Sequence, residues 1–223
     1  MKEYPSIQNS SKAPRQHCFA FVKYDGSNLR YEWSKKQGWH KFGTRHLLFD
    51  ETSEHFGAAI PKFLEKYGDA LPKVFKSEKA FRGVDRFIVY CEWFGAKSFA
   101  GAHEHEDPKD IILFDVNPLT KGMVGPKPFL DMFGHLNVAE LVWQGNLGTE
   151  FIQKVRASDF DFIDFRSKFD IKTDVPEGVI CKGTDCERHK GWSCKIKTDA
   201  YFAKLKERHP IDWEKLAQDD FTY

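Results

Sequence analysis

The sequence predicts an α+β fold in which antiparallel sheets are flanked by helices, and three observations support this class. Short segments rich in β-branched and aromatic residues recur along the chain. Helical patterns lie among them, but not in the strict strand–helix alternation that a parallel sheet requires. The chain has 223 residues, of which 41% are hydrophobic, and this length allows a sizeable core. We therefore expect a single domain over residues 1–223.

The elements follow from local patterns, taken in chain order. Residues 1–16 are polar, contain two prolines, and indicate a loose N-terminal lead-in. Apolar, β-branched or aromatic runs bounded by turn signals predict strands at 17–24, 28–33, 86–93, 110–116, 138–143, 178–182 and 192–197. Helical patterns predict helices at 54–70, 128–135, 149–157 and 199–208. Pro61 must lie near a helix start or kink, and Asp199 is a candidate N-cap that opens a short helical tail over 199–223.

Charge and cysteine content restrict the class of protein. The net charge is +1, so the total lacks the basic footprint of most nucleic-acid-binding proteins. The stretch 182–208 is nevertheless rich in Lys and Arg, whereas 104–110 is acidic. Five widely spaced cysteines do not suggest a disulfide framework. The N-terminus has no apolar leader and no run reaches membrane-span length, so we expect a soluble, cytoplasmic protein that does not contact a membrane.

A zinc site is a weaker alternative for part of this cysteine set. Cys181, Cys186, His189 and Cys194 are chemically suitable ligands. Their spacing matches no familiar zinc pattern. Two of the thiols fall on predicted strands, where small buried thiols are common.

The candidate chemistry centres on Lys23, which ends a predicted strand beside the turn Asp25-Gly26 and just before Asn28. A lysine amine becomes a nucleophile when desolvation or nearby cations lower its pKa. Lys195 and Lys197 are candidate cations, because residues two apart on a strand point to one face. Glu92 and Glu177 lie on or beside buried-looking strands, where a carboxylate suggests a metal or a ribose hydroxyl as its partner. A nucleophile, cations and metal-binding carboxylates are the parts that phosphoryl transfer requires.

Each part also has a purely structural interpretation. Lys-x-Asp-Gly is common in hairpin turns with a solvated lysine. Glu92 could pair with an arginine, Glu177-Gly178 could form a turn, and Lys195 with Lys197 could be an exposed strand face. Phe114 fits a core position as well as a base platform. The set and its order along the chain carry the functional interpretation.

The set resembles the covalent nucleotidyltransferase superfamily of DNA ligases, RNA ligases and mRNA capping enzymes. The segments that carry the resemblance are KYDGSN at 23–28, GTR at 43–45, YCEWFG at 90–95, ILFDV at 112–116, EGVICKG at 177–183 and WSCKIK at 192–197. The resemblance implies a ligase-type, ATP-grasp-like nucleotidyltransferase domain that uses ATP and Mg²⁺ (or Mn²⁺).

The resemblance also implies a role for each matching residue. Lys23 would carry AMP covalently, and Arg45 would contact a substrate phosphate. Phe114 would stack on adenine, and Lys195 and Lys197 would contact the nucleotide phosphates. The remaining members of the nucleotide site would be Asp25, Gly26, Asn28, Glu92 and Glu177, with Glu177 and Glu92 serving the metal.

Two cues favour an RNA ligase over a DNA ligase. DNA ligases typically carry arginine at the position of Asn28, and Asp-Gly where this chain has Tyr90-Cys91. We therefore expect RNA ends or a nicked duplex as substrate. A DNA nick ligase is the alternative within enzymes, and a non-catalytic module that holds nucleotides or RNA ends is the alternative of another class.

The C-terminal end departs from many relatives. Only 26 residues follow Lys197 in this sequence, which leaves no room for the OB-fold of DNA ligases and capping enzymes. The expectation is a minimal enzyme, an excised domain, or a subunit that obtains the missing domain from a partner protein.

Overall fold

The computed structural model describes residues 1–98, 100, 106–159, 177–184 and 190–218, and these form the mixed α and β fold that the sequence predicts. The strands are β1 Gln8–Asn9, β2 His17–Lys23, β3 Gly26–Ser34, β4 Gly38–Gly43, β5 Leu48–Phe49, β6 Arg86–Phe94, β7 Asp110–Pro118, β8 Leu141–Asn146, β9 Gly178–Thr184 and β10 Gly191–Lys197. The α-helices are α1 Ala59–Tyr67, α2 Ala70–Ser77, α3 Pro126–Phe133, α4 Thr149–Ala157, α5 Asp199–Arg208 and α6 Trp213–Gln218.

The strands form two five-stranded sheets. The first sheet has the order β1-β10-β9-β2-β8 and is antiparallel except where β1 runs parallel to β10. The second sheet has the order β5-β4-β3-β6-β7 and is antiparallel throughout. The predicted antiparallel class is thereby confirmed for the described residues.

The larger core covers the outer face of the second sheet. Alternate residues of β3 and β6 point to this face, where they pack against α1, α2 and α3. Tyr31 stacks on Phe63 with ring centroids 3.7 Å apart, and Phe75 stacks on Phe87 at 4.0 Å. This aromatic packing buries the outer face of the second sheet against the three helices.

A smaller core covers the outer face of the first sheet. It combines Phe151 and Val155 of α4 with the buried thiols Cys18, Cys181 and Cys194. The two described cysteines of the zinc alternative are thus core residues, whereas Cys186 and His189 lie outside the described residues. Within the described ranges, no group of three or more potential ligands is placed to hold a metal ion.

Several element boundaries differ from the prediction for local reasons. The helix predicted at 54–70 begins only at α1, whose first turn contains Pro61, and a separate α2 follows. The strand expected at 138–143 begins at Leu141, and Val138 forms only an isolated bridge. Strand β4 (GWHKFG) was not predicted, because its sequence lacks a β-branched run. The N-cap of α5 is Thr198, whose hydroxyl accepts a hydrogen bond from the Tyr201 amide at 3.0 Å, so Asp199 is wrong as the cap.

The N-terminal segment, predicted as a loose lead-in, is held by one buried residue and one short strand. Tyr4 is 5% exposed and donates a hydrogen bond to Asp115 at 2.5 Å. Its ring meets Tyr90 and Phe114 edge to face, with centroids 4.9 and 5.1 Å away. Strand β1 then adds to the edge of the first sheet. One buried aromatic residue therefore anchors a segment that is otherwise polar.

No helix in the described ranges combines the length and the apolar character that crossing a membrane requires.

Candidate active site

A cleft lies between the facing sides of the two sheets. It encloses about 900 Å³ of space, part of which is open to solvent. Residues that line it include Tyr4, Phe21, Lys23, Asp25, Gly26, Asn28, Arg45, Glu92, Phe114, Glu177, Lys182, Lys197 and Tyr201. A concave site whose walls combine apolar rings with a few convergent polar groups is typical of small-molecule sites.

The first sheet brings two of the cleft lysines, Lys23 and Lys197, to one place. Gly178 of β9 pairs with Lys197 on β10 and with Lys23 on β2, so the three residues form a row across neighbouring strands. Gly178 has φ +141°, and a Cβ there would lie 2.0 Å from the Ile196 carbonyl oxygen. Only glycine fits this backbone geometry and this close approach. The Glu177-Gly178 pair thus allows the lysines to flank one carboxylate.

Glu177 is that shared carboxylate. Its Oε1 lies 2.8 Å from Lys23 Nζ and 3.2 Å from Lys197 Nζ, and its side chain is 3% exposed. Burial lowers the pKa of Lys197, and the charges of Lys23 and Lys195 lower it further, while Glu177 opposes these effects. Two ammonium groups around one carboxylate leave an excess of positive charge that an anionic ligand can balance.

Helix α5 closes this end of the cleft through Tyr201. The Tyr201 ring lies 4.8 Å from Lys197 Nζ, and its hydroxyl lies 3.4 Å from Asp25 Oδ1. Burial raises the pKa of Tyr201, and the carboxylates of Glu177 and Asp25 raise it further. Asp25 also accepts a hydrogen bond from the Ala100 amide at 3.3 Å. The turn after Lys23 is therefore fastened from two sides.

The second sheet contributes a carboxylate and an amide side by side. Asn28 on β3 and Glu92 on β6 are register partners, and residues directly opposite each other share a face. The Oδ1 atom of Asn28 is buried and has no hydrogen-bond partner among the described residues. A carboxylate beside an unsatisfied amide oxygen can accept hydrogen bonds from ligand hydroxyl groups.

Phe114 reaches the cleft because β7 bulges. Tyr90 pairs with Asp115 and Cys91 pairs with Leu113, which leaves Phe114 as the extra residue. Such bulges redirect a side chain next to functional sites. The ring lines the cleft as a flat apolar surface.

A buried ion pair connects the two sheets behind Phe114. Lys182 Nζ lies 2.8 Å from both the Asp115 carboxylate and the Phe114 carbonyl oxygen. The same carboxylate receives the Tyr4 hydroxyl. This network holds the bulge, the first sheet and the N-terminal segment together.

Most of the predicted site residues converge. The predicted site residues that line this cleft are Lys23, Asp25, Gly26, Asn28, Arg45, Glu92, Phe114, Glu177 and Lys197. Lys195 is buried on the same strand face, two residues before Lys197, and does not line the cleft. Sequence reasoning missed Tyr4, Asp115, Lys182 and Tyr201. Asp115 and Lys182 lie inside the segments already singled out, whereas Tyr4 has no local sequence signal.

Solved structures of an RNA ligase from Naegleria gruberi are similar to this chain. A variant with ATP and Mn has a TM-score of 0.64 at 17% identity, and the match covers 94% of this chain and 58% of the ligase. A variant with AMP and Mn has a TM-score of 0.63 at 15% identity and the same coverage. Over most of its length, this chain shares the fold of the matched part of these ligase structures.

The likeness extends to further structures of the same ligase, but it covers only part of that protein's length. A structure of the Naegleria gruberi RNA ligase with PPi also matches, with a TM-score of 0.61 at 14% identity over 94% of this chain. The chain spans 58% of the length of these ligases. No protein-family model and no curated protein sequence matches it.

Proposed function

We propose that this chain is an ATP-dependent polynucleotide ligase that joins RNA 3′-hydroxyl and 5′-phosphate ends through AMP carried on Lys23. The observation that carries the proposal is the shared carboxylate: Lys23 and Lys197 meet at Glu177. This cluster stands at one end of a cleft that Asn28 and Glu92 also line. The RNA-ligase fold supports the same conclusion.

In the first step, the Lys23 amine attacks the α-phosphorus of ATP. A P–N bond forms, the bond to the β-phosphate oxygen breaks, pyrophosphate leaves, and the amine loses its proton to solvent. Lys197, with Lys195 behind it, offsets the charge that develops on the phosphoryl oxygens. Phe114 offers a stacking surface for the adenine. Asn28 and Glu92 are placed to receive the ribose hydroxyls.

In the next two steps the AMP moves to the nucleic acid and then leaves. A 5′-phosphate oxygen attacks the phosphorus on Lys23, the P–N bond breaks, and a pyrophosphate-linked AMP cap forms. A 3′-hydroxyl then attacks the capped 5′-phosphate, a phosphodiester forms, and AMP departs. The sum converts one ATP to AMP and pyrophosphate for each joined end.

A divalent cation fits the donor set of the cleft. Glu177 and Glu92 offer carboxylate oxygens, and Mg²⁺ is commonly held by one or two carboxylates together with substrate phosphates. When bound, Mg²⁺ (or Mn²⁺) neutralises charge on the transferring phosphoryl group. The Mn, ATP and AMP named with the similar ligase structures support such use.

RNA is the proposed substrate because of two features of the second sheet. Asn28 supplies a polar amide at the cleft, and a 2′-hydroxyl is both a donor and an acceptor that such an amide can read. Tyr90 and Cys91 precede Glu92 and look like the RNA-ligase pattern. A DNA nick ligase is the alternative.

Labelling with α-labelled ATP tests the proposal. Incubation with Mg²⁺ and denaturing electrophoresis should show a covalent label from ATP but not from GTP. The Lys23→Ala variant should lose the label and keep its fold by circular dichroism. Lys35→Ala, an exposed lysine in the β3–β4 turn, is the matched control and should label normally. An unlabelled wild-type protein would favour the non-catalytic binding module.

The substrate is tested with matched nicked duplexes at one salt concentration. The nick with RNA at the 3′-hydroxyl end should be sealed faster than the all-DNA nick. Equal or faster sealing of the all-DNA nick would favour the DNA-ligase alternative.

A further inference from the structure

A second cleft adjoins the first at the Asp25-Gly26 turn. Both residues line both clefts, so the two spaces meet two residues from Lys23. The second cleft encloses about 1020 Å³ including its open mouth, and its walls include Glu54, His55, Trp93, Lys97, Ser98 and Lys109. None of the wall residues except those of the shared turn has a role in the proposed chemistry.

Lys97 and Lys109 both line this cleft, close enough for the charge of one to act on the other. Among the described residues, neither Lys97 nor Lys109 has a carboxylate within salt-bridge distance. Partial burial lowers the pKa of Lys109, and the nearby charge of Lys97 lowers it further. Of the described residues on the cleft wall, Asp25 and Glu54 are acidic, and Asp25 is turned to the Ala100 amide and the Tyr201 hydroxyl.

The backbone is shaped to bring these lysines together. Gly95 has φ +110°, and a Cβ there would lie 2.2 Å from the Pro108 carbonyl oxygen. This close approach packs the chain after β6 against the chain before β7. Lys97 itself has φ +63°, a conformation that residues other than glycine seldom adopt and that often accompanies function.

An indole ring with an unsatisfied donor lies beside Lys109. Trp93 is 5% exposed, and its indole Nε1 is buried with no acceptor among the described residues. Lys109 Nζ lies 5.6 Å from the centre of the same ring. Indole nitrogen can only donate a hydrogen bond, and an orphaned buried donor calls for an explanation. The two ammonium groups on the wall of this cleft match an oxygen-rich anion.

We infer that the second cleft binds the sugar–phosphate backbone of the RNA strand whose 5′-phosphate receives AMP. The inference rests on the proposed function and adds a substrate site to it. Lys97 and Lys109 contact backbone phosphates, and the cleft leads the strand past the Asp25-Gly26 turn toward Lys23. Phosphate contacts of this kind position a nucleic acid without reading its sequence.

The test compares two double variants by fluorescence anisotropy with a short, labelled, 5′-phosphorylated RNA. The first is Lys97→Ala with Lys109→Ala. The control is Lys35→Ala with Lys36→Ala, which removes two exposed lysines at the opposite end of β3. The cleft variant should bind on the order of tenfold more weakly at low salt, and its log–log salt slope should fall by roughly 1 to 2, as expected for two lost phosphate contacts. The control should match the wild type in affinity and slope.

Labelling by α-labelled ATP separates this inference from the proposed function. The cleft variant should label at the wild-type rate, but its single-turnover transfer of AMP to the RNA should be slower. RNA affinity and salt slope equal to those of the control would overturn the inference. Loss of ATP labelling in the cleft variant would also overturn it, because the lysines would then belong to the nucleotide site. If the wild type fails to label with ATP, the proposed function fails, and the anisotropy comparison still decides whether this cleft holds RNA.

Discussion

The two faces of the second sheet are built from the same strands but serve opposite purposes. The outer face carries stacked rings such as Tyr31 on Phe63 and Phe87 on Phe75. The inner face carries Asn28 and Glu92 toward the cleft. Successive residues on a strand alternate between faces, so one step along β3 or β6 changes the environment from core to site. Stability and chemistry are therefore encoded in alternate residues.

Burying the side chains of the inner face is also less favourable in free energy than burying those of the outer face. Apolar rings gain free energy on burial, whereas buried charges lose hydration and must be paired. The Lys182–Asp115 pair shows how this chain meets that requirement, since the Phe114 carbonyl and the Tyr4 hydroxyl complete its hydrogen bonds. The outer face of the second sheet contributes most to stability, and its inner face contributes the groups that can bind a ligand.

Replacing Phe87 by Ala should have the largest effect on stability. The side chain is fully buried and stacks on Phe75, and deleting a core phenyl ring costs about 3–5 kcal/mol. Urea unfolding should show this loss, while ATP labelling per folded molecule stays near the wild-type level. A stable variant with poor labelling would contradict the division between the two faces.

Replacing Glu92 by Gln should give the reverse pattern. The change is nearly isosteric, so the free energy of unfolding should change by less than about 1 kcal/mol. The rate of Lys23 labelling should fall on the order of 10²-fold, as when one preorganised electrostatic group is lost. Single-turnover labelling and urea unfolding of the same preparation provide the comparison. Full activity with lower stability would indicate a structural ion pair instead.

Replacing Tyr201 by Phe should have the smallest effect. The ring over Lys197 remains, and the hydroxyl is lost together with its long contact to Asp25 and its hydrogen bond to Glu177. We expect a labelling rate roughly 2- to 10-fold lower, in keeping with about 0.5–1.5 kcal/mol for the net contribution of a typical hydrogen bond. A loss beyond this range in a folded variant would mean that the hydroxyl contacts the reacting groups.

The sequence predicts the strands of the site well, because their turns and apolar runs are local signals. Lys23 ends β2 beside Asp25-Gly26 as expected, and Glu177 precedes β9. Lys195 and Lys197 share a strand face, as the period of two requires, but only Lys197 reaches the cleft. Whether a side chain on that face reaches the cleft depends on the neighbouring strands, and local periodicity does not specify these.

The missed residues depend on long-range pairing. Tyr4 acts through Asp115, and Tyr201 acts through Asp25, so each partner is far away in sequence. The second cleft likewise depends on Gly95 meeting Pro108. No window of adjacent residues contains both members of these contacts. The tight backbone approaches at Gly95 and Gly178 become visible only in three dimensions.

The most direct test of the central claim is to locate the nucleotide on the chain. The protein should be incubated with ATP and Mg²⁺, digested, and analysed by mass spectrometry under conditions that preserve a phosphoamide. We expect the mass of AMP on Lys23, and we expect Lys23→Ala to carry none at any other residue. AMP on a different lysine, or on Lys197 in particular, would contradict the assignment of Lys23 as the nucleophile.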